Sequence, residues 1–491
     1  WIEVADRGGE LGATRAGVTG EAPSDVLWHY NLSARHLDKL CERVDTFSVS
    51  GDGERLVVRH RDDTIVVPSS HKVDDDDPAY IRVDLTRLRR TVNPRAEWRQ
   101  MFDENGRLMA SHYWREDMNG VDWDSVLNRY RPLVDLCHVV DDLHDILWET
   151  VAELNTSHSY VSASGAAGDS DMRAGLLGAD VSSGNDGAKV VRVIPGESSD
   201  PRAWSPLRAA GVAVTEGDVI VAVDGRKVGA DGNLGELLEG SAGRVVELTV
   251  RRGENERQVA VVPMADEAPL RYHDWVASRR RYVEEHSGGR LGYLHVPDMV
   301  SDGWAELHRQ IGEATRHEGV IADVRFNHGG HTSQLVVERL ARRVVGWDYS
   351  RWYATADTYP QNAVRGPIVM VTNQWAGSDG DIVAAATQAM GYAKVIGERS
   401  WGGVVGIDGR FDLVDGTSVT QPRYAGWYGS YGWGVENHGV DPDIVVTVSP
   451  EDWEADCDVQ LDAAIAECLR QLDDKPAATA PELPGPAFDR C

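Results

Sequence analysis

The feature that most constrains the fold is an alternation of short apolar runs and amphipathic stretches between residues 290 and 450. Strand-like runs such as GVIADVRF and GPIVMVTN are separated by helix-like stretches such as GWAELHRQIGEATRH and DGDIVAAATQAM. Strands that alternate with helices in this way form a largely parallel sheet of βαβ units. In such sheets, functional sites form in the loops that follow the carboxyl ends of the strands, so chemistry is expected there.

The rest of the 491-residue chain divides into regions of different pattern. Residues 46–68 alternate polar and apolar residues around a Gly-Asp-Gly turn, which predicts a hairpin at the end of an all-β unit. Three later stretches have apolar residues at three- and four-residue spacings, which predicts a small helical bundle. The predicted divisions are an all-β unit over residues 1–70, an acidic linker over 71–94, a helical subdomain over 95–170, a β domain over 171–265, an α/β domain over 266–455, and a C-terminal helix with its tail over 456–491.

Composition narrows the classes of function. The net charge of −29 argues against sequence-independent binding to the phosphate backbone of nucleic acids, which needs a basic face. No apolar run approaches the ~20 residues needed to cross a bilayer, so we expect a soluble protein with no membrane partner. Five cysteines without a CxxC pair fit reduced thiols in a cytosol. The chain begins at Trp1 rather than Met, and we expect it to be a fragment of a longer chain.

One segment of the predicted β domain resembles a known peptide-binding module. Residues 205–228, SPLRAAGVAVTEGDVIVAVDGRKV, resemble the second half of a PDZ domain. The earlier segment GLLG, Gly175 to Gly178, occupies the place of the carboxylate-binding loop of that family, whose backbone amides hold a peptide C-terminus added as a strand. The resemblance implies a PDZ-like domain and leaves open whether it binds peptides or is a rigid spacer.

A serine is placed where a predicted strand gives way to a helix. The segment QWAGSDGD, residues 374–381, follows the apolar run GPIVMVTN and precedes the stretch IVAAATQAM. Ser378 is therefore expected near a helix N-terminus, where unpaired N–H groups stabilise developing negative charge, as a nucleophile requires. From this stretch alone a structural interpretation is favoured, in which Ser378 caps the helix and Asp381 completes a capping box.

A nucleophilic serine needs a base, and the segment ELNTSHSY, residues 153–160, contains a histidine beside a second serine. Neighbouring side chains diverge on a strand or a helix, so His158 is expected to serve a nucleophile other than Ser157. An α/β-hydrolase elbow is disfavoured, because its GxSxG motif reads Ala376-Gly-Ser378-Asp-Gly380 here and its histidine would follow the serine.

A second alternative for the base is a lysine. The C-terminal processing peptidases also place a PDZ domain before a βαβ domain, and they pair their serine with a lysine in a motif resembling GEKTFGKG. The matching segment here is GERSWGGV, residues 397–404, and Gly403 stands at the position of the lysine. The Ser-Lys mechanism therefore lacks its base.

The order of helical subdomain, TSH segment, PDZ-like domain and βαβ domain resembles the catalytic half of the tricorn protease family. The resemblance implies a multidomain α+β chain with the end of a β-propeller-like unit, a helical bundle, a PDZ-like β domain and an α/β catalytic domain of ClpP/crotonase-like βαβ type. It also implies a tetrad of Ser157, His158, Ser378 and Glu436. Ser378 would attack the substrate, His158 would take its proton, and Ser157, held by Glu436, would orient His158.

The same resemblance implies an oxyanion hole formed by two backbone amides. One belongs to Asp379, and the other to Gly330 in the segment VRFNHGGHTSQ, where glycine lets the backbone approach the scissile carbonyl. The sequence departs from the family pattern at His328 and at Asn155, which both replace a glycine. His328 and His331 lack an evident third ligand, so no metal or other cofactor is predicted.

The resemblance assigns substrate specificity to Asp348 in the segment VVGWDYSRW. This acid would be donated by a neighbouring subunit and would favour Lys or Arg at the P1 position of the substrate. An exposed acid without this role is the alternative interpretation.

The leading hypothesis is a cytosolic serine endopeptidase that cleaves unfolded polypeptides or oligopeptides and assembles as a hexameric ring. One alternative is a PDZ-containing C-terminal processing peptidase. Another, from a different functional class, is a catalytically silent PDZ scaffold that binds peptide C-termini.

Overall fold

The structure is a computed structural model that describes residues 2–3, 25–60, 63–89, 91–163, 172–184, 186–229, 232–352, 354–409 and 411–483. Trp1, where the chain begins, and Cys491, one of its five cysteines, lie outside the described residues. The chain divides into two compact units, residues 1–94 and 95–491. All the candidate catalytic residues lie in the second unit. No helix in the described part of the chain combines the length and apolar character needed to cross a membrane.

The first unit contains two antiparallel sheets. Its strands are β1 (Ile2–Glu3), β2 (Val26–Asn31), β3 (His36–Glu42), β4 (Thr46–Val49), β5 (Arg55–His60), β6 (Asp63–Pro68) and β7 (Ile81–Arg82). The sheet orders are β1-β2-β3 and β4-β5-β6-β7. The hairpin predicted around the Gly-Asp-Gly turn is confirmed as β4 and β5. The stretch expected to be a linker contributes β7 to the second sheet, and the β-propeller expectation stays a prediction.

Three helices open the second unit, as the apolar spacing predicts. They are α1 (Pro94–His112), α2 (Trp123–Val134) and α3 (Val140–Ala152), and a short strand, β8 (Val161–Ser162), follows them. Asp122 caps α2 by accepting the N–H of Ser125 at 3.0 Å. Between α3 and β8 the chain has no regular structure, and the TSH segment lies in this turn.

An antiparallel β domain follows. Its elements are β9 (Ala179–Gly184), β10 (Gly187–Val193), β11 (Val219–Val223), β12 (Arg226–Lys227), α4 (Leu234–Leu237), β13 (Val246–Arg252) and β14 (Asn255–Val261). The strand order is β14-β13-β11-β10-β9, with β12 paired to β11. One core fills the interior of this domain and includes Val190, Ile220, Leu248 and Val250.

The remaining elements form the α/β domain. In chain order they are α5 (Ala268–His286), β15 (Leu291–His295), α6 (Ser301–Ala314), β16 (Gly319–Asp323), α7 (Ser333–Leu340), β17 (Gly346–Asp348), β18 (Asp357–Tyr359), β19 (Ile368–Thr372), α8 (Asp379–Met390), β20 (Ala393–Gly397), β21 (Gly406–Asp408), β22 (Ser418–Val419), β23 (Gln421–Tyr424), β24 (Ile444–Val445), α9 (Pro450–Glu454) and α10 (Val459–Asp474).

The predicted parallel sheet is confirmed, with the strand order β15-β16-β19-β20-β24 and parallel pairing throughout. Its strands are mostly apolar because helices cover both faces. On β19, Val369 and Val371 face α5 and α10, whereas Ile368 and Met370 face α6, α7 and α8. The carboxyl ends of the strands therefore meet at one edge of a three-layer domain.

The helical subdomain shares a sheet and a hydrophobic core with the α/β domain. Strand β8 pairs with β22 from the α/β domain, and Leu413 and Val419 enter the same core as Leu147 and Val161. The TSH segment, directly before β8, is thereby held against the α/β domain.

Candidate active site

Ser378 lies where β19 turns into α8. Its backbone has φ +59°, in the left-handed region that a residue with a side chain rarely adopts, so the turn is strained. Ser378 stands at the N-cap position of α8, but its side chain makes no capping hydrogen bond. The Asp381 carboxylate receives a backbone hydrogen bond from Ser378 as well as from Gly402. The helix cap is therefore present in position, whereas the side-chain half of the capping box is missing. The turn instead directs a partly buried hydroxyl to the carboxyl edge of the sheet, where the βαβ pattern predicts chemistry.

Ser157, His158 and Glu436 form a hydrogen-bonded chain. The Ser157 hydroxyl donates to Glu436 Oε2 at 3.1 Å, and its oxygen lies 3.2 Å from His158 Nδ1. Glu436 Oε1 also accepts the Ser157 N–H at 2.9 Å. Neighbouring side chains meet here because Ser157 and His158 lie in a turn, where the divergence expected on a strand or a helix does not apply.

The His158 ring is buried and packed edge-on against two aromatic side chains, Tyr160 at 5.7 Å and Trp401 at 5.6 Å between ring centroids. Burial lowers the pKa of His158 below its usual value, while the negative charge of Glu436 acts in the opposite direction. A lowered pKa keeps the imidazole neutral near pH 7, which is the form that accepts a proton.

His158 and Ser378 line the same cleft, which has a volume of about 220 Å³. The other lining residues are Tyr160, Asn327, His328, Trp375, Gly377 and Trp401. Since Nδ1 of His158 faces Ser157, Nε2 is the ring nitrogen left for the cleft. The structure thus brings the serine of the α/β domain and the histidine of the TSH segment to one opening.

Two backbone N–H groups beside Ser378, those of Gly330 and Asp379, have no acceptor in the described part of the chain. The Gly330 loop is fixed by Asn327, whose side chain accepts the N–H of Gly329 at 2.9 Å and donates to Val296 O at 2.8 Å. The loop and the nucleophile turn are in contact, because a Cβ placed on Gly329 would lie 2.5 Å from the Ser378 Cβ. Both N–H groups therefore belong to residues adjacent to the contact between the loop and the nucleophile turn.

The side chain of Asp379 fixes the first turn of a second helix. It accepts the N–H of Ser333, at the start of α7, at 2.8 Å and the Ser333 hydroxyl at 2.5 Å. The side chain of Asp379 is thus held inside the domain, and its N–H remains free.

Gly403, at the position of the processing-peptidase lysine, lies directly beside the base. A Cβ placed on Gly403 would lie 2.8 Å from Ser157 Oγ and 2.2 Å from the Trp401 ring. A side chain at this position and the Ser157–His158 pair therefore compete for the same space.

Asp348 does not line the cleft in its own chain. It is exposed at the end of β17, opposite Asp357 on β18. His328 does line the cleft, whereas no group of three or more His, Cys, Asp or Glu residues in the described ranges is arranged to hold a metal ion.

Three of the four amides of the GLLG loop, those of Gly175, Leu176 and Gly178, have acceptors within the chain. The Leu176 N–H donates to Met264 O at 2.8 Å, and the Gly178 N–H donates to the carboxylate of Glu267 at 2.6 Å. Glu267, just before α5, also accepts from Arg271 at 2.8 Å. A carboxylate of the chain itself thus occupies the loop that resembles a carboxylate-binding site.

Three family profiles match successive parts of the second unit. The tricorn protease C1 domain matches residues 94–152, the tricorn protease PDZ domain residues 175–266, and peptidase family S41 residues 290–446. The chain belongs to the tricorn protease family. Its β domain with the GLLG loop matches the tricorn PDZ domain, and the cleft is lined by residues of the S41 region together with His158 and Tyr160, which follow the matched C1 region.

Relatives within the tricorn family cover nearly all of this chain. Tricorn protease homolog 1 of Streptomyces coelicolor is 56% identical over 97% of this chain and 45% of its own length. The tricorn protease of Thermoplasma acidophilum is 35% identical over 92% of this chain and 42% of its own length. A crystal structure of the tricorn protease superposes with a TM-score of 0.85 and 33% identity over 95% of this chain and 45% of that chain. The chain therefore spans less than half the length of these relatives.

Several cleft residues were not identified from the sequence. Asn327, Tyr160, Trp375 and Trp401 line the cleft or fix its loops, although each reads as ordinary core or surface in the sequence. For Asn327 a signal existed, since it follows a buried strand and precedes two glycines. For Trp401 the signal was its place in the segment compared with the lysine motif.

Proposed function

We propose that this chain carries the active site of a serine endopeptidase with a Ser378–His158–Ser157–Glu436 tetrad. The single observation that carries the proposal is the cleft that Ser378 and His158 both line, next to residues whose N–H groups have no acceptor in the described part of the chain. A nucleophile, an oriented base and free donors for an oxyanion are the parts that acyl transfer needs.

The proposed reaction begins when Ser378 Oγ attacks the carbonyl carbon of a peptide bond and His158 Nε2 takes the hydroxyl proton. The N–H groups of Gly330 and Asp379 stabilise the oxyanion of the tetrahedral intermediate. The imidazolium then gives its proton to the amine as the C–N bond breaks, which leaves an acyl-enzyme. Water, deprotonated by His158, attacks the ester, and the released Ser378 regains its proton.

Ser157 and Glu436 orient the base in this scheme. The imidazolium is stabilised through Ser157 by the carboxylate of Glu436, which accepts the Ser157 hydroxyl at 3.1 Å. The N–H groups of Val404 and Val405 fix the same carboxylate at 2.7 and 3.0 Å. A carboxylate with this many donors keeps its position, so the ring it orients does as well.

The contacts disfavour both alternative functions. A Ser-Lys processing peptidase needs a long side chain at Gly403, where the Ser157 oxygen already limits the space. A scaffold that binds peptide C-termini needs the amide of Gly178, which Glu267 occupies.

Substrate class and assembly belong to the same proposal. We infer unfolded polypeptides or oligopeptides as substrates, a basic preference at P1 from Asp348, a hexameric ring and a cytosolic location. The exposure of Asp348 outside its own cleft supports a role in the cleft of a neighbouring copy. Four free cysteines among the described residues, Cys41, Cys137, Cys457 and Cys468, agree with a reducing compartment.

Covalent labelling tests the nucleophile. A serine-directed phosphonate should modify the protein, and Ser378→Ala should abolish both labelling and cleavage of a mixed peptide pool. Ser278→Ala, which removes a partly buried hydroxyl on α5, is the matched control and should retain both. Cleavage that survives Ser378→Ala would overturn the proposal. A map of the cleavage sites on the same pool tests the P1 preference.

A further inference from the structure

Asp381 is a buried carboxylate outside the proposed tetrad. It lies on the first turn of α8 and is fully buried. It accepts hydrogen bonds from the Ser400 hydroxyl, from the Gly402 N–H at 2.8 Å and from the Gly403 N–H at 3.2 Å. All three donors are neutral, and burial raises the pKa of the Asp381 carboxyl to about 6. A buried carboxylate without a cation is costly to keep, so its partners are informative.

The three donors belong to one segment, residues 400–405, which we name the 400–405 loop. Trp401 in this loop packs edge-on against His158 at 5.6 Å and covers Gly377, where an added Cβ would lie 2.8 Å from the Trp401 ring. Gly403 lies directly against Ser157, with 2.8 Å between an added Cβ and Ser157 Oγ. The loop therefore touches both the base and the residue that orients it.

The 400–405 loop also donates hydrogen bonds to Glu436, the acid of the proposed tetrad. Val404 and Val405 donate their N–H groups to Glu436 Oε2, and the Asn437 N–H donates to Gly402 O at 2.7 Å. The 400–405 loop therefore contacts Ser157, His158 and Glu436. Ser378, by contrast, is fixed by α8, the helix that carries Asp381.

We propose that Asp381 is a positioning residue that couples the nucleophile to its base. Its hydrogen bonds connect α8, which directly follows Ser378, to the 400–405 loop, and this loop contacts Ser157, His158 and Glu436. We call this connection the tie. The inference depends on the proposed serine-peptidase function. Since proton transfer from Ser378 to His158 requires close approach, loosening this tie separates the reacting groups without removing either.

Asp381→Asn is a nearly isosteric test. An amide has one acceptor oxygen and presents N–H donors where Asp381 meets the N–H groups of Gly402 and Gly403, so at least one bond is lost. We expect kcat to fall about 10²-fold, the effect typical of a displacement near 1 Å. KM should stay within about twofold, because no substrate contact changes. The rate of phosphonate labelling at Ser378 should fall in parallel with kcat.

Ser400→Ala removes one of the three donors and should lower kcat about tenfold. The double variant should be no slower than Asp381→Asn, because both changes break the same tie. The matched control is Asp443→Asn. Asp443 also accepts a backbone N–H, that of Val395 at 2.8 Å in the middle of β20, and neither residue lines the cleft. This control should retain the wild-type kcat.

Hydrogen exchange tests the tie independently of cleavage. The amides of Gly402 and Gly403 should exchange faster in Asp381→Asn and at the wild-type rate in Asp443→Asn. Unchanged exchange, or wild-type kcat in a folded Asp381→Asn protein, would overturn the inference. If Asp381→Asn does not fold, Ser400→Ala decides in the same way. Cleavage that survives Ser378→Ala would overturn the proposed function instead, and the exchange result would stand by itself.

Discussion

Two glycine-containing loops in the second unit resemble anion-binding loops, and they differ in what their N–H groups already bind. In the GLLG loop the Gly178 N–H meets the carboxylate of Glu267. Beside Ser378 and Gly329, which are in contact, the N–H groups of Asp379 and Gly330 have no acceptor in the described part of the chain. A backbone donor without a partner costs free energy, so a fold keeps one chiefly where solvent, a ligand or a transition state supplies the acceptor. A binding motif in the sequence therefore predicts the loop, whereas backbone N–H groups without an acceptor indicate where a ligand binds.

Glycine-to-alanine substitutions in the two loops should differ most in their effect on kcat. A Cβ at Gly330, at φ +147°, would lie 2.2 Å from Met299 O, so Gly330→Ala must shift the free amide. We expect kcat for an oligopeptide to fall about 10²- to 10³-fold, as when an oxyanion donor is removed. Gly178→Ala, at φ +64° and with an added Cβ 2.8 Å from the Ser205 Cβ, is also strained and should lower the melting temperature with kcat of the folded protein unchanged. Equal losses of kcat in both variants would contradict the distinction.

Glu436→Gln tests the effect of the negative charge of Glu436 on His158. We expect kcat to fall about 10²-fold. Donors now bond to both carboxylate oxygens of Glu436, whereas glutamine offers one acceptor oxygen. The negative charge of Glu436 raises the pKa of His158 against the effect of burial. Without that charge the pKa falls further, and His158 stays neutral to lower pH. The acid limb of kcat/KM should therefore move to lower pH, while an unmoved limb would show that another group limits the rate.

Asp348→Asn tests a carboxylate that lies in neither loop. If Asp348 serves the cleft of a neighbouring copy, cleavage after Lys or Arg should fall about tenfold relative to cleavage after apolar residues. The measurement is the set of cleavage sites on a mixed peptide pool. Asp357→Asn, which changes the residue directly opposite, shows whether the effect is specific to Asp348. Unchanged selectivity in Asp348→Asn would remove the specificity role.

Glu267→Ala should have the smallest effect on catalysis. It removes the acceptor of the Gly178 N–H and one partner of Arg271, so the free energy of unfolding should fall by about 1–3 kcal/mol. We expect kcat to stay within about twofold. Wild-type protein should bind free-acid and amidated peptides equally weakly, whereas Glu267→Ala should gain a preference for the free acid. Selective binding of free-acid peptides by wild-type protein would show that the GLLG loop is open.

Much of the α/β domain could be predicted from periodicity. Strands such as β16 and β19 appear in the sequence as short apolar runs because both of their faces are covered. The location of Ser378 at a strand-to-helix turn followed from the same pattern. The partner of that serine did not, and its assignment to His158 came from resemblance to a family.

Local rules failed where contacts were distant in the sequence. A capping box was expected for Asp381 because its helix position fits one, yet the carboxylate also accepts from donors 19 to 22 residues further along the chain. The pairing of β8 with β22 joins residues far apart, and neither strand is long enough to show a period. Ser157 and His158 meet in a turn, whose geometry no spacing rule predicts.

The distance along the chain between the tetrad members has a consequence for biosynthesis. Ser157 and Glu436 are separated by 279 residues, which a ribosome adds in roughly 15 to 55 s at ordinary rates. During that interval the emerging polypeptide carries the histidine without its acidic support, and for most of it without the nucleophile. The order of translation thus delays the assembled cleft until Glu436 has been added, and under the proposed function this delay would spare nearby nascent chains from cleavage.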